Sequence, residues 1–457
     1  MRVLLIQPPS VPEFSRHIFA YEPLALEYVG AGLKEDGHAV EVFDARFDSD
    51  LDGTVRRMRP DAVGLTAFTV NVPWTLRAAE RLKLLAPETF VVVGGHHASV
   101  RPEDFDSPAV DVVVVGEGVF AMRELLERRR QGRPLDDVRG LALPGSPMRW
   151  TAPRPYADLD ALPFPDRSLT ARHRERYFGE WLKPLASVRT SLGCSSRCNF
   201  CALWSITGSR YLRRTPESVV EELKTLSEQN VFFCDDESMV DAERMSRLAD
   251  AIRAAGVRKK YFLYARVDTI VRHPALFAKW RAIGLEQVFV GLESFSDRRL
   301  AGMKKGTTVE QQLAAAKILR DLGILLYGSL IVEPDFTRED FRELAAFVRR
   351  LGLQYAGFSV LTPFPGTQLY AERERELLSR KPELFDLLHA LLPTRLPLEE
   401  FYEEFAGLYE RAIPPYRQLG ILRRYGWTRA FQMIRLTPKV MSALRNGYLD
   451  HVGSGAA

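Results

Sequence analysis

The sequence predicts an α/β chain in four parts: a small doubly wound parallel sheet over residues 1–140, a connector over 141–185, a second parallel βα unit over 186–370, and a helical region over 371–457. Two observations carry this. Short β-branched runs alternate with amphipathic stretches in two separate series, the pattern of parallel strands joined by crossover helices. The connector between the series holds seven prolines and no period, as a segment laid over a surface does.

In the first series, Arg2–Gln7, Ala39–Asp44, Ala62–Thr66, Phe90–Gly94 and Val110–Val115 read as strands. Pro23–Leu33 and Trp74–Leu85 carry apolar residues at helical spacing. Such strands suit a Rossmann-like sheet, whose ligands meet the loops after the strand C-termini. Those loops contain Gly94-Gly95-His96-His97 and Gly116-Glu117-Gly118. In the second series the strands are Ser187–Ser191, Val231–Cys234, Tyr261–Arg266, Gln287–Gly291, Leu325–Val332 and Tyr355–Thr362. Helical stretches Thr215–Ser227, Ala242–Ala255, Val309–Leu322 and Arg338–Leu351 separate them, and six βα repeats define a partial rather than a closed eight-stranded barrel. After Pro363-Phe364-Pro365-Gly366-Thr367 no β-rich run recurs.

With 46% hydrophobic and 27% charged residues in 457, the chain can bury several cores, which excludes disorder and collagen-like or coiled-coil architecture. The 63 basic and 59 acidic residues leave a net charge of +4, too even for a dedicated nucleic-acid binder. No run of about 18 apolar residues occurs, which argues against a transmembrane helix. Met1–Pro9 has neither the apolar length nor the cleavage site of a signal peptide, so the expected location is the cytoplasm.

The four cysteines are too few for a disulfide framework in so long a chain. Three of them, Cys194, Cys198 and Cys201, stand as C-x3-C-x2-C at the end of the first barrel strand. Three thiolates on one loop can hold three irons of a [4Fe–4S] cube and leave the fourth iron open. Zinc competes as the metal, but structural zinc takes four ligands, and no histidine or fourth cysteine follows at finger spacing. Fortuitous clustering is disfavoured because catalytic loops of such barrels sit at this end. Cys234 reads as a small buried residue rather than a ligand.

The cysteine loop resembles that of the radical S-adenosylmethionine (SAM) superfamily. The resemblance implies a (βα)6 partial TIM barrel with a [4Fe–4S] cluster on Cys194, Cys198 and Cys201 and SAM on the open iron. It further implies that SAM meets Arg266 with its carboxylate, Glu293 or Ser294 with its ribose or amino group, and Asp235-Asp236-Glu237 at its amino-acid end. The alternative for each of these residues is a helix cap or an internal ion pair.

The glycine loops of the first unit resemble the cobalamin-binding domain that precedes the barrel in many radical SAM methylases. Small residues let backbone lie against a flat corrin. The dinucleotide pattern G-x-G-x-x-G is missing after the first strand, where Pro8-Pro9-Ser10 stands, which counts against NAD or FAD. The resemblance implies cobalamin contacts from Thr66, Phe68, Thr69, Val70, Gly94, Gly95, His96, Gly116, Glu117 and Gly118, with 66–70 beneath the corrin. The cobalt-ligating pattern D-x-H-x-x-G is not present: Asp44-Ala45-Arg46 puts Arg46 where the histidine would be, so cobalamin is expected base-off without histidine ligation. His96 and His97 are expected as loop or nucleotide-tail contacts.

Glu383–Glu404 is similar to the corresponding stretch of the hopanoid C-3 methylase branch of that family. Beyond it, Arg411–Leu449 has eight basic residues and no acidic one, interleaved with apolar and aromatic side chains. Such a segment is either a helix packed on the barrel or a basic amphipathic face for the inner surface of a membrane, with RNA as a third reading; no nucleic-acid partner is expected. The resemblance as a whole implies a cobalamin-dependent radical SAM C-methyltransferase. It would move a methyl group from methylcobalamin to an unactivated carbon of an apolar metabolite, a hopanoid-like lipid or secondary metabolite. An external donor of flavodoxin or ferredoxin type would reduce the cluster. The rivals are an oxidative rearrangement or cyclisation with the same cofactors, and a cobalamin-binding module with an inactive barrel. Methylthiolation is excluded because its cysteine-rich N-terminal domain is missing.

Overall fold

A computed structural model describes residues 1–12, 15, 17–179, 182–414 and 437–452. The described chain divides into two compact units, Met1–Tyr177 with Ser205–Gly208, and the remainder.

The first unit is a seven-stranded sheet. Its strands are β1 (Arg2–Gln7), β2 (Ala39–Asp44), β3 (Ala62–Thr66), β4 (Phe90–Gly94), β5 (Val112–Val114), β6 (Leu141–Leu143) and β7 (Arg149–Trp150), in the order β2-β1-β3-β4-β5-β6-β7. The first five are parallel, and β6 and β7 extend the edge antiparallel. β1 and β3–β5 are buried almost throughout, which is why each reads as an unbroken apolar run rather than an alternation. Helices α1 (Leu24–Glu35), α2 (Leu51–Met58), α3 (Val72–Leu85), α4 (His96–Val100) and α5 (Val119–Arg130) cross between strands, and two cores form, one on each face of the sheet. The sequence anticipates five strands; β6 and β7 lie in the proline-rich stretch read as connector. At three and two residues they are too short to show a period.

The second unit is a six-stranded parallel sheet of β8 (Leu185–Val188), β11 (Asn230–Phe233), β12 (Lys260–Ala265), β13 (Leu285–Glu293), β14 (Leu325–Val332) and β15 (Tyr355–Val360), in chain order. Between β8 and β11 a two-residue antiparallel ladder, β9 (Ser191–Leu192) with β10 (Leu212–Arg213), closes the neck of the cysteine loop. The expected first strand Ser187–Ser191 is thereby corrected: the barrel strand ends at Val188, and Ser191 belongs to the neck. Helices α6 (Pro216–Thr225), α7 (Ala242–Ala254), α8 (Pro274–Ala282), α9 (Val309–Asp321) and α10 (Arg338–Leu351) cover the outside. Their starts are written in sequence: Thr215, Asp241, Thr308 and Thr337 each accept a bond from a first-turn N–H. Alternation along the strands sends Val288, Val290 and Leu292 outward into one continuous core with those helices, and Gln287, Phe289, Gly291 and Glu293 inward.

The barrel stops at six strands because helical chain covers its last edge. On α11 (Leu398–Arg411), Tyr409 stands edge-on to Phe358 of β15 at 5.1 Å; its hydroxyl donates to the Phe358 carbonyl at 3.1 Å and accepts from its N–H at 3.4 Å. Leu387 O accepts Val360 N at 2.7 Å. An open strand edge is thereby satisfied without a seventh strand. Most of the basic stretch Arg411–Leu449 lies outside the described residues.

Candidate active site

The cysteine loop leaves β8 under tight control. Asp235, just past β11, accepts Thr190 N and Thr190 Oγ1 at 2.6 Å each and Ser191 N at 2.8 Å. Arg244, fully buried on α7, donates to the Thr190 carbonyl at 2.8 Å and to the Arg214 carbonyl at 2.7 Å. Asp236 accepts Gly193 N at 2.7 Å, where Gly193 takes the left-handed backbone (φ 99°) that a side chain would resist. At the far end, Asn199 bonds the Met303 and Gly302 carbonyls, and Trp204 Nε1 donates to Cys198 O at 3.1 Å.

Cys194, Cys198 and Cys201 are free thiols on this loop. Burial pushes Cys201 up to about 11, helped by the neighbouring thiols, and raises Cys194 as well. Arg266, at the end of β12, is close enough to feel the charge of Cys194 and Cys198. Among the described residues no three histidine, cysteine or carboxylate side chains converge as a single metal ion requires. A [4Fe–4S] cube takes one thiolate per iron rather than convergence on a single ion, so three free thiols on one loop fit the cluster.

Around the loop, the expected SAM residues divide. Both oxygens of Asp235 accept bonds from Thr190 and Ser191, so its carboxylate braces the loop. Glu237 is 1% exposed, its Oε2 has no hydrogen-bond partner, and burial pushes its carboxyl up to about 7. Arg266 donates from Nε to Asp268 at 2.9 Å and from Nη2 to the Lys305 carbonyl at 2.7 Å. Glu293 sits at a β-bulge with φ 64° and pairs with buried Lys305. Gly291 makes that pair possible, since a Cβ there would meet Glu293 Oε1 at 2.2 Å and Lys305 Nζ at 2.7 Å. Ser294 is buried, and its carbonyl and that of Leu292 are held by Gln312 Nε2. Sequence reasoning missed Lys305, Arg244 and Gln312: a lysine in Lys304-Lys305-Gly306 and polar residues inside helical periods read as solvent-facing. Cys234 is half-buried beside the acidic run.

In the first unit the glycine loops gather at the C-terminal ends of β3, β4 and β5, beside the β1/β3 point where strand order reverses and ligands bind such sheets. Gly95 has φ 99°, and a Cβ there would strike Thr66 Oγ1 at 2.5 Å and Ala67 N at 2.9 Å. Gly116 (φ 86°) has open space where a Cβ would stand. Phe68 is 57% exposed and lies 5.8 Å from exposed His96. An open backbone rim with exposed rings fits a large flat ligand. Thr66, Val70 and Gly94 are half-buried on this rim, and Gly118 starts α5.

Two expected contacts are turned inward. Glu117 accepts Phe120 N at 3.1 Å and bonds Val119 N, capping α5. Thr69 is buried against His97, which is itself 1% exposed and bonded at both nitrogens, so His97 is no loop-surface contact. Arg46, at the position of the missing histidine, pairs with Asp44 through Nε at 2.8 Å and Nη2 at 2.6 Å and donates to Tyr21 O at 2.7 Å. A guanidinium has no lone pair to offer a metal.

Fold and site together define a cobalamin-binding radical SAM enzyme. Residues 19–126 match the family model of the B12 binding domain, and residues 188–348 that of the Radical SAM superfamily. The chain is 31% identical over 443 residues to the hopanoid C-3 methylase of Methylococcus capsulatus, covering 95% of this chain and 83% of that one. It is 28% identical over 404 residues to an anaerobic magnesium-protoporphyrin IX monomethyl ester cyclase of Rubrivivax gelatinosus, covering 84% and 71%. Among solved structures, the radical SAM methyltransferase TsrM of Kitasatospora setae, with cobalamin and a [4Fe–4S] cluster bound, superposes with a TM-score of 0.72 at 20% identity over 97% of this chain and 99% of that one. The chain belongs to the cobalamin-binding radical SAM family, the class B radical SAM methyltransferases, whose cofactors are cobalamin, a [4Fe–4S] cluster and SAM.

Proposed function

We propose that the chain methylates an unactivated carbon of an apolar metabolite. The observation that carries this is the donor set at one end of the barrel: three free thiols on a braced loop, with Arg266 and the unpartnered Oε2 of Glu237 beside them. When bound, the cluster and SAM supply a 5′-deoxyadenosyl radical and cobalamin supplies the methyl group. Cys194, Cys198 and Cys201 hold the cluster. Glu237 accepts the SAM ammonium, a role supported by a buried oxygen that lacks a donor. Arg266 meets the SAM carboxylate, and Glu293, held by Lys305, orients the ribose.

An apolar substrate is supported by the inward face of the barrel. Tyr264, Phe289, Tyr327 and Tyr355 occupy one level on four neighbouring strands with ring centroids 4.7, 4.9 and 4.5 Å apart, and each is half-buried. The next inward level is Gly291, Ser329 and Gly357; the Glu293–Lys305 pair fills the space beside Gly291 and the Tyr327 hydroxyl that beside Gly357, so the aromatic rings remain the main apolar surface of this face. Similarity to a hopanoid methylase supports a lipid of this kind. The proposal includes a flavodoxin- or ferredoxin-type donor and a cytoplasmic protein whose basic stretch after Arg411 touches the membrane face; among the described residues no helix is long and apolar enough to cross a membrane.

The second reading, ring formation without methyl transfer, is favoured by the similarity to the cyclase. Anaerobic reconstitution with iron, sulfide and cobalamin, followed by SAM turnover under reduction, separates them. Methylation yields 5′-deoxyadenosine and S-adenosylhomocysteine, the first lost in Cys198→Ala and the second without cobalamin. Deoxyadenosine alone, with candidate substrates present, favours cyclisation, and neither product favours a cobalamin-binding module.

A further inference from the structure

Phe68 and His96 are exposed rings on the first unit's loop rim, 5.8 Å apart between centroids. Each is followed in sequence by a buried partner. Thr69 Oγ1 lies 3.0 Å from His97 Nδ1, and His97 Nε2 lies 2.8 Å from Asp104 Oδ2. The exposed pair is therefore mounted on a buried one.

Chemistry sets the direction of the bond to Asp104. Burial pushes the Asp104 carboxyl up, but the bonds from His97 and Arg101 outweigh it and hold it below its usual range, so it is an anion and accepts. His97 Nε2 then carries the hydrogen it donates, and the Thr69 hydroxyl is bonded to Nδ1 on the other edge of the ring. Phe105 stands edge-on to the imidazole at 5.7 Å and fixes its plane. The rest of the turn is pinned as well. Ala67 N donates to Gly94 O and His97 N to Ala67 O, each at 3.0 Å, and Asn71 Nδ2 donates to Pro9 O at 3.1 Å. A surface loop that only linked β3 to α3 would have no need of a buried imidazole tied to a half-buried carboxylate beneath its exposed tip.

We propose that Asp104, His97 and Thr69 form a relay of hydrogen bonds that presets the spacing of Phe68 and His96 as a platform for the cobalamin ring. His97 and Thr69 are positioning residues, and the rings beside them make the contact. A platform held in its bound geometry before the ligand arrives binds more tightly because less side-chain and loop freedom is lost. This rests on the reading of the rim as the cobalamin site.

The test is titration of the cluster-loaded, cobalamin-free protein with hydroxocobalamin, read by fluorescence quenching, together with the electron paramagnetic resonance spectrum of bound cob(II)alamin. Thr69→Val keeps shape and removes the hydroxyl; it is expected to raise Kd about tenfold, the scale of one lost hydrogen bond, and to change the cob(II) spectrum. Thr69→Ser is expected to stay within about twofold of the parent, and His97→Gln to fall between the two. The decisive comparison is the same Thr69→Val change in a Phe68→Ala/His96→Ala background, where its effect on Kd should vanish because no platform remains to be set. An unchanged Kd in Thr69→Val, at an unchanged melting temperature, overturns the proposal. So does an equal rise in both backgrounds, which is what general loosening of the sheet end would give. If the parent itself takes up no cobalamin, the cobalamin reading of the rim fails, and the relay proposal with it.

Discussion

Glu293 and Lys305 form a buried ion pair, Nζ to Oε1 2.5 Å, at the bulge where the fourth barrel strand turns into left-handed backbone. The pair puts a carboxylate at a strained position of the barrel mouth and neutralises it there. Lys305→Met is expected to destabilise the protein by about 3 kcal/mol, because an isolated buried carboxylate remains. Adding Glu293→Gln should recover most of that loss. Urea unfolding of the single and double variants checks it, and equal losses in both would count against the pair as the cause.

Asp235→Asn is expected to lower iron content after reconstitution. The amide keeps one oxygen for the Thr190 and Ser191 N–H groups, now without its charge, and turns its NH2 toward the Thr190 hydroxyl that Oδ2 accepts from, at a cost of about 2 kcal/mol per charged bond lost. The neck of the cysteine loop should loosen while the rest of the barrel stays folded. Iron and sulfide assays beside far-ultraviolet circular dichroism distinguish this from global unfolding.

Gly95→Ala is expected to abolish cobalamin retention and to destabilise the first unit by about 1–2 kcal/mol, the scale of a left-handed penalty for a residue with a Cβ. At Gly95 a Cβ meets backbone, which cannot swing away as a side chain end could. Gly116→Ala has space for its methyl group and should cost only the backbone term. Thermal melts and cobalamin uptake of the two variants, side by side, separate crowding from conformational strain.

His389 and the short helix Leu449–Val452 provide a pH dependence. Burial pulls the His389 imidazole down, but bonds to Asp386 at 2.9 Å and Asp450 at 3.1 Å outweigh it, so its pKa lies above the ordinary 6.5. A raised value means the contribution is complete below about 6.5 and lost as pH rises through the folded value. His451 faces the same cluster beside Tyr402, and burial lowers its pKa, so its protonation opposes docking at lower pH. The protection factors of the terminal helix, with the intrinsic base-catalysed rate divided out, should fall from pH 6.5 upward in the parent, and His389→Gln should flatten that fall.

Much of this chain was legible in its residues. Parallel strands buried on both faces appear as unbroken apolar runs, so β1, β3 and β4 were bounded correctly from sequence, as were the edge strand β2 and the barrel strand β14 from their β-branched and aromatic residues. Helix starts at Thr215, Asp241, Thr308 and Thr337 follow from local capping chemistry. The cysteine spacing, the glycine loops and the missing cobalt-ligating histidine likewise depend only on neighbours in the chain.

What the sequence by itself determined was therefore the order of elements and the chemistry each loop can offer. Only the tertiary structure decided which polar residues face the site and which brace it. Asp235 and Glu237 stand two positions apart in one acidic run, yet both oxygens of Asp235 accept bonds from Thr190 and Ser191 while Glu237 keeps an oxygen without a partner. His96 and His97 are adjacent, yet one is exposed and the other buried between Thr69 and Asp104. In each case the role is set by partners dozens of residues away or by which side of the backbone meets the core. Buried hydrogen bonds of this kind are chosen by packing in three dimensions, and residue type and spacing carry no record of them.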